Sequence, residues 1–157
     1  MSYCADNIVL LAGTIYSGLD SPSSTSIGLI SGWVASSGAL ADINVRLGTN
    51  FYLSGASPCI TNGFGPEEAN ILGLLYNTTY YLGRARNSLV NGGTFIISIG
   101  DGDSRFTRES AVKVAREYRE LYKEVENDMR LAIYNWKLNK ALPVDVRFSN
   151  PTAYPTP

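Results

Sequence analysis

The chain has 157 residues, 45% of them hydrophobic and 17% charged, with 13 basic and 14 acidic side chains. That size and apolar content suit one folded domain and exclude global disorder, and the near-neutral balance argues against a nucleic-acid grip driven by net charge. Histidine is absent, which removes Ser-His-Asp and Cys-His nucleophile pairs, histidine-ligated zinc and haem, and imidazole acid–base chemistry.

Asp6 is placed to cap a first helix in which Ile8, Leu11, Ala12, Ile15 and Leu19 recur at spacings of three and four, the signature of one apolar helical face. Asp20-Ser-Pro22 and the serines after it predict a turn. Ser24, Thr25 or Ser26 then caps a second helix carrying Ile27, Ile30, Trp33 and Val34. Ser36-Ser37-Gly38 interrupts it, and Leu40, Ile43 and Leu47 continue in a third short helix or in the same one bent. Gly28 and Gly32 form a GxxxG spacing, read here as room for close packing or as a weakening of the helix rather than as a membrane dimerisation signal.

Gly48 to Gly65 reads as a loop pinned by Phe51, Tyr52 and Leu53. Gly65-Pro66-Glu67-Glu68 is a strong helix start, with proline at the first position and two acids facing the positive end of the helix dipole. The helix carries Ile71, Leu74, Leu75, Thr78, Leu82, Ala85 and Leu89, and Asn91-Gly92-Gly93 is the expected stop. Tyr76, Tyr80 and Tyr81 predict half-buried packing first and interface duty second. Thr94–Ile99 is β-branched and predicts a strand. Gly100-Asp101-Gly102-Asp103 supplies an Asp-Gly turn, and Ser104–Thr107 a returning strand.

Ser104 or Thr107 caps the longest helix, which runs to about Lys140. Ala111, Ala115, Tyr118, Tyr122, Val125, Met129, Ala132 and Trp136 alternate spacings of four and three, a regular packing seam. Lys113–Glu117 and Glu126–Arg130 are spaced for i,i+4 ion pairs on the other face. At 1.5 Å per residue this helix is about 50 Å long, against about 30 Å for the diameter of a globule of this size, so it is expected to project past its own domain. Leu142-Pro143 ends it. The fold class is therefore mainly α: a helical bundle with a long C-terminal helix, one small β-hairpin and an extended C-terminal arm. Residues 1–141 form the bundle domain including the hairpin 94–107, and residues 142–157 form the arm. In the arm, Val144, Val146 and Phe148 alternate with Asp145 and Arg147, a pattern suited to adding a strand to a partner.

Motifs for chemistry are sparse. Ser110-Ala-Val-Lys113 has the SxxK spacing but no companion motif. Asp101-Gly102-Asp103 resembles the start of a calcium loop yet lacks its later ligands and closing glutamate, so it reads as a hairpin turn. Glu67 and Glu68 point apart on a helix and are better explained by the helix start. Asn77-Thr78-Thr79 is a sequon in mid-helix with no secretory leader before it. Arg84 and Arg86 could meet a phosphate or carboxylate. Cys4 and Cys59 form no spacing motif and are expected as free, reduced thiols. No catalytic residue, metal or cofactor is expected; an enzyme would have to rely on carboxylate chemistry at Asp101 or Asp103. No segment suits a membrane, since the longest uncharged stretch, Ser21–Ala41, is rich in Ser and Gly.

Charge placement says more. Residues 1–66 hold only Asp6, Asp20, Asp42 and Arg46, whereas residues 101–140 hold 17 of the 27 charges. A free monomer decorates its surface more evenly, so the sparse half is expected to lie against something, most simply copies of itself.

The order of these elements is similar to that of the head–tail connector (adaptor) proteins of tailed bacteriophages. The likeness rests on the short first helix, the turn Leu19-Asp-Ser-Pro-Ser-Ser-Thr25, the helical region with Trp33, the Pro66–Leu89 helix, the hairpin Phe95-Ile-Ile-Ser-Ile-Gly-Asp-Gly-Asp103, and the hairpin-to-helix junction Ile99-Gly-Asp-Gly-Asp-Ser-Arg-Phe-Thr-Arg-Glu-Ser110 into a helix ending Tyr134-Asn-Trp-Lys-Leu-Asn139. It covers most of residues 6–140. The resemblance implies a non-enzymatic virion protein, made in the host cytoplasm, that forms a dodecameric ring under the portal and continues the DNA channel without specific DNA binding. It implies a portal-binding arm at Val144, Val146, Arg147, Phe148, Pro151 and Tyr154. The hairpin at Phe95, Ile97, Ile99, Asp101, Asp103 and Arg105 would meet a neighbouring subunit or the next neck or tail protein. Two other readings fit the residues: another ring-forming virion protein, or a helical protein-binding module.

Overall fold

The computed structural model describes residues 3–19, 25–54, 59–95 and 103–141, with side chains described outside 91–95 and 103–110. It is mainly helical: α1 (Ala5–Ser17), α2 (Ile27–Val34), α3 (Ser37–Leu47), the strands β1 (Tyr52–Ser54) and β2 (Cys59–Thr61), α4 (Pro66–Phe95) and α5 (Asp103–Ala141). The first three helices form where the apolar spacing placed them. Ile8, Ala12, Ile15 and Leu19 are buried, as are Ile30, Val34, Leu40, Ile43 and Leu47. The residue before α1 is Cys4, with no side-chain cap, and Asp6 sits in the first turn instead of capping it. Ser26 caps α2 through its hydroxyl on the Leu29 N–H at 3.2 Å, and Ser36 caps α3 on the Ala39 N–H at 3.1 Å. The expected turn at 20–24 lies outside the described residues.

Gly48 closes α3 in the left-handed region, at φ 71°, where glycine pays no steric cost. Asn44 then ties the next segment down. Its Oδ1 accepts from the Phe51 N–H (2.7 Å) and the Thr49 hydroxyl (2.9 Å), and its Nδ2 donates to the Phe51 carbonyl (2.9 Å). Asn44→Ala is expected to cost roughly 2–3 kcal/mol, because it leaves part-buried polar groups without partners; the urea midpoint measures it.

The small β-hairpin is at 52–61, inside the segment expected as a loop. β1 and β2 pair antiparallel with Leu53 opposite Ile60, and Tyr3 adds an isolated antiparallel bridge to Ile60. Phe64 packs edge-on against both Tyr3 and Phe51, with ring centroids 5.2 Å apart in each case. A disulfide joins Cys4 to Cys59, correcting the expectation of free thiols. Spacing along the sequence says nothing about this pairing, because the Tyr3–Ile60 bridge is what brings residues 55 apart into contact.

The hairpin expected over 94–107 is not there. Thr94 and Phe95 are the last residues of α4 and Asp103–Thr107 the first of α5, so Phe95, Asp103 and Arg105 lie on helices; Ile97, Ile99 and Asp101 lie outside the described residues. The helix also continues through Asn91-Gly92-Gly93, its expected stop. Local preferences of about 1 kcal/mol per glycine and a similar range for β-formers are overridden by the pairing of two long helices.

That pairing dominates the fold. α4 and α5 run antiparallel, since Glu68 meets Trp136 near one end while Arg84 meets Tyr118 further along. All eight seam residues of α5 from Ala111 to Trp136 are buried or half-buried. The Glu126–Arg130 pair forms at 2.8 Å, whereas Lys113 and Glu117 stay exposed and do not pair with each other. Only the lower parts of the two long helices join the main core. Ala69, Ile71, Leu72, Leu75, Met129 and Trp136 belong to it, with α1, α2 and α3. Gly73 marks the crossing of α1, where an added Cβ would stand 3.4 Å from Ile15. Tyr81, Ala85 and Ala115 are buried outside that core, packed within the helical pair. α5 has 39 residues, or about 58 Å, so the upper part of the pair extends beyond the three short helices, as its length implied.

Candidate assembly surfaces

Three features stand out on this framework. The first is apolar surface without a partner. On α5, Leu131, Tyr134 and Leu138 are exposed at 60%, 63% and 47%. At 100° per residue they fall in one row about opposite the Met129–Trp136 seam. On the other helices Val9, Leu10, Leu29 and Val45 are also exposed, all in the charge-poor half of the chain. Single exposed hydrophobics are ordinary, but rows of them mark contact surfaces. The spacing of three and four in 131, 134 and 138 was visible in the sequence as a second apolar row. The inward seam already accounts for the helix without it.

The second feature is a buried carboxylate at the base of the helical pair. Glu68 is 3% exposed. Its Oε2 accepts from the Gly65 N–H at 2.9 Å, the return half of a capping box, and its Oε1 accepts from the Trp136 indole N–H at 2.6 Å. The Lys140 ammonium lies 3.8 Å from the same oxygen and 5.5 Å from the Trp136 ring centroid. Glu67 is exposed, so the two acids do point apart. A hollow of about 640 Å³ opens here beside Gly63, Pro66 and Asn139. Each Glu68 oxygen accepts a hydrogen bond, which makes the group a joint between the start of α4 and the end of α5.

The third feature is a ladder of aromatic rings along α4. Trp33 stands edge-on to Tyr76 at 5.1 Å, Tyr76 is stacked with Tyr80 at 6.4 Å, and Tyr81 is stacked with Tyr118 at 6.3 Å. The Tyr76 hydroxyl and the Thr25 hydroxyl are hydrogen-bonded at 3.1 Å. Arg84 lies 5.4 Å from the Tyr118 ring centroid and donates to its hydroxyl at 3.3 Å. That hydrogen bond raises the Arg84 pKa above its ordinary value, with partial burial opposing it, so the cation stays charged. Burial pushes the Tyr3 phenol up.

Of the residues singled out earlier, the arm positions Val144, Val146, Arg147, Phe148, Pro151 and Tyr154 lie outside the described residues, as does the 96–102 part of the 94–107 segment. Asn77 of the sequon is half-buried in mid-α4 with its Oδ1 enclosed, a poor acceptor for glycan transfer. Among the described residues no three Cys, Asp or Glu side chains gather as a metal site, and no helix is long and apolar enough to cross a membrane. No protein-family model matches the chain, and no curated protein or solved structure is significantly similar to it.

Proposed function

We propose that this chain is a structural assembly subunit, and specifically a neck connector of a tailed phage that forms a ring joining portal to tail and continues the DNA channel. The observation that carries the assembly reading is the exposed Leu131–Tyr134–Leu138 row on α5, with Val9, Leu10, Leu29 and Val45 exposed besides on α1 to α3. A closed ring of identical chains uses a heterologous interface, so each copy needs two different sticky faces. A solitary protein would carry charge at those places. The narrower connector reading adds the order of the helices and the long α4–α5 pair. In it Val144–Pro157 is the portal-binding arm, and DNA slides through without being gripped.

Sedimentation velocity of the purified full chain tests the assembly reading. The expected result is concentration-dependent association into a closed oligomer. Leu131→Lys combined with Tyr134→Lys holds the chain as a monomer with unchanged far-UV circular dichroism. A wild-type chain that stays monomeric at its highest soluble concentration, and behaves like the double variant, overturns self-assembly and leaves the helical binding module as the better reading.

A further inference from the structure

We infer that the aromatic groove between α2 and α4 is a docking site for a proline-rich extended segment, and that its occupant is this chain's own residues 150–157, Asn-Pro-Thr-Ala-Tyr-Pro-Thr-Pro. This goes beyond the assembly reading and stands without it.

The groove has a volume of about 270 Å³ and is lined by Trp33, Tyr76, Tyr80, Gly83, Arg84 and Asn87. Its rings are held in place before any ligand arrives. Trp33 and Tyr76 brace each other edge to face, the Thr25 hydroxyl pins the Tyr76 hydroxyl, and Tyr80 continues the row one turn along the helix. Fixed, half-buried aromatic faces set in a shallow groove are what polyproline II segments recognise. Their proline rings stack on the faces, their backbone is already extended, and little entropy is lost on binding. The polar rim suits such a ligand too: carbonyl oxygens outnumber N–H groups in a segment with three prolines, and the exposed Asn87 brings a donor. Gly83 completes the shape. A Cβ built there meets nothing within 4 Å, so the missing side chain leaves open space rather than serving helix packing.

The occupant follows from composition and reach. Pro151, Pro155 and Pro157 give the last eight residues three prolines, with Tyr154 between them. α5 ends at Ala141, beside Glu68, which Lys140 approaches to 3.8 Å. The groove runs along α4 from Tyr76 to Arg84, roughly 12–24 Å from Glu68 at the helical rise. Residues 142–150 span up to about 28 Å when extended at 3.1 Å each, so Pro151 reaches the near end of the groove. The groove uses only the proline-rich end and not Val144, Val146 and Phe148; in the connector reading Pro151 and Tyr154 leave the groove when the arm binds the portal.

The test uses the full chain labelled with 5-fluorotryptophan, the Trp33 fluorine signal being identified by its loss in Trp33→Phe. Replacing Pro151, Pro155 and Pro157 together by alanine is expected to shift the Trp33 signal and leave Trp136 in place. Adding a synthetic peptide of residues 149–157 to that triple variant is expected to restore the original position. Gly83→Leu, placed in the triple-variant background, fills the groove at a site that tolerates a side chain, and should weaken peptide binding by about tenfold or more with unchanged helicity. A shift independent of protein concentration means docking within one chain, and a concentration-dependent one means exchange between copies; either supports the site. A Trp33 signal indifferent to the prolines and to the peptide overturns the inference, as does peptide binding that survives Gly83→Leu.

Discussion

Changing Cys4 and Cys59 together to serine is expected to lower the stability of the oxidised chain by about 4 kcal/mol. The bridge closes a loop of 55 residues, and the chain-entropy model assigns a loop of that length about 4 kcal/mol through restriction of the unfolded state. The native structure has little else to hold its N-terminal end. Tyr3 pairs with Ile60 through two backbone hydrogen bonds of 2.9 and 3.0 Å and packs on Phe64, while α1 starts without a side-chain cap. Urea unfolding monitored by circular dichroism measures the loss. The wild-type chain in excess dithiothreitol should then match the double serine variant, because the same constraint is removed chemically. Equal midpoints for oxidised wild type and double variant would show that the staple does not stabilise the fold. Since the cytosol keeps thiols reduced, the staple is expected to close only under oxidising conditions.

Trp136→Phe keeps most of the ring and removes one donor, and is expected to cost roughly 1.5–3 kcal/mol, the range for a hydrogen bond to a charged group. Glu68→Ala should cost more, about 3–5 kcal/mol, since it strips an acceptor from both the Gly65 N–H and the Trp136 indole N–H and empties a buried site. The two losses should not add. Both variants break the same 2.6 Å bond, so a double-mutant cycle is expected to show a coupling on the order of 1–3 kcal/mol. Lys140→Ala is expected within about 0.5 kcal/mol of wild type, because the lysine is half exposed and 3.8 Å from the carboxylate. Additive losses in the cycle would mean that Glu68 and Trp136 serve separate contacts. The position of this bond matters beyond its energy. It sets the register of α4 against α5 at the base of the pair, and thereby where the outer row Leu131, Tyr134 and Leu138 is presented.

The helices were legible for a simple reason. Ile8–Leu19, Ile30–Leu47, Ile71–Ala85 and Ala111–Trp136 each repeat apolar side chains with a helical period, and a long amphipathic stripe has one way to bury itself. Pro66 with Glu67 and Glu68 marked a helix start that the structure reproduces, whereas the bond from the Gly65 N–H to the Glu68 carboxylate comes from the structure alone. Short elements were another matter. Thr94–Ile99 looked like a strand and Tyr52–Thr61 like a loop, and the structure reverses both as far as it describes them. A run of three to six residues carries about 1 kcal/mol of preference either way, less than the packing of the elements around it. The candidate surfaces were only half visible: the tyrosines of α4 were noticed as a group, whereas Trp33 is brought to them by the packing of α2 on the core.

The amino-acid sequence by itself determined the helical class, the inward seam of α5, the start of α4 and the uneven distribution of charge, because each depends on residues close together along the chain. The tertiary structure alone decided that Cys4 meets Cys59, that Glu68 is buried under Trp136, that the hairpin lies at 52–61, and that Trp33, Tyr76 and Tyr80 line one groove. All of these but the hairpin join residues tens of positions apart, and such contacts form only once the apolar faces have chosen their partners.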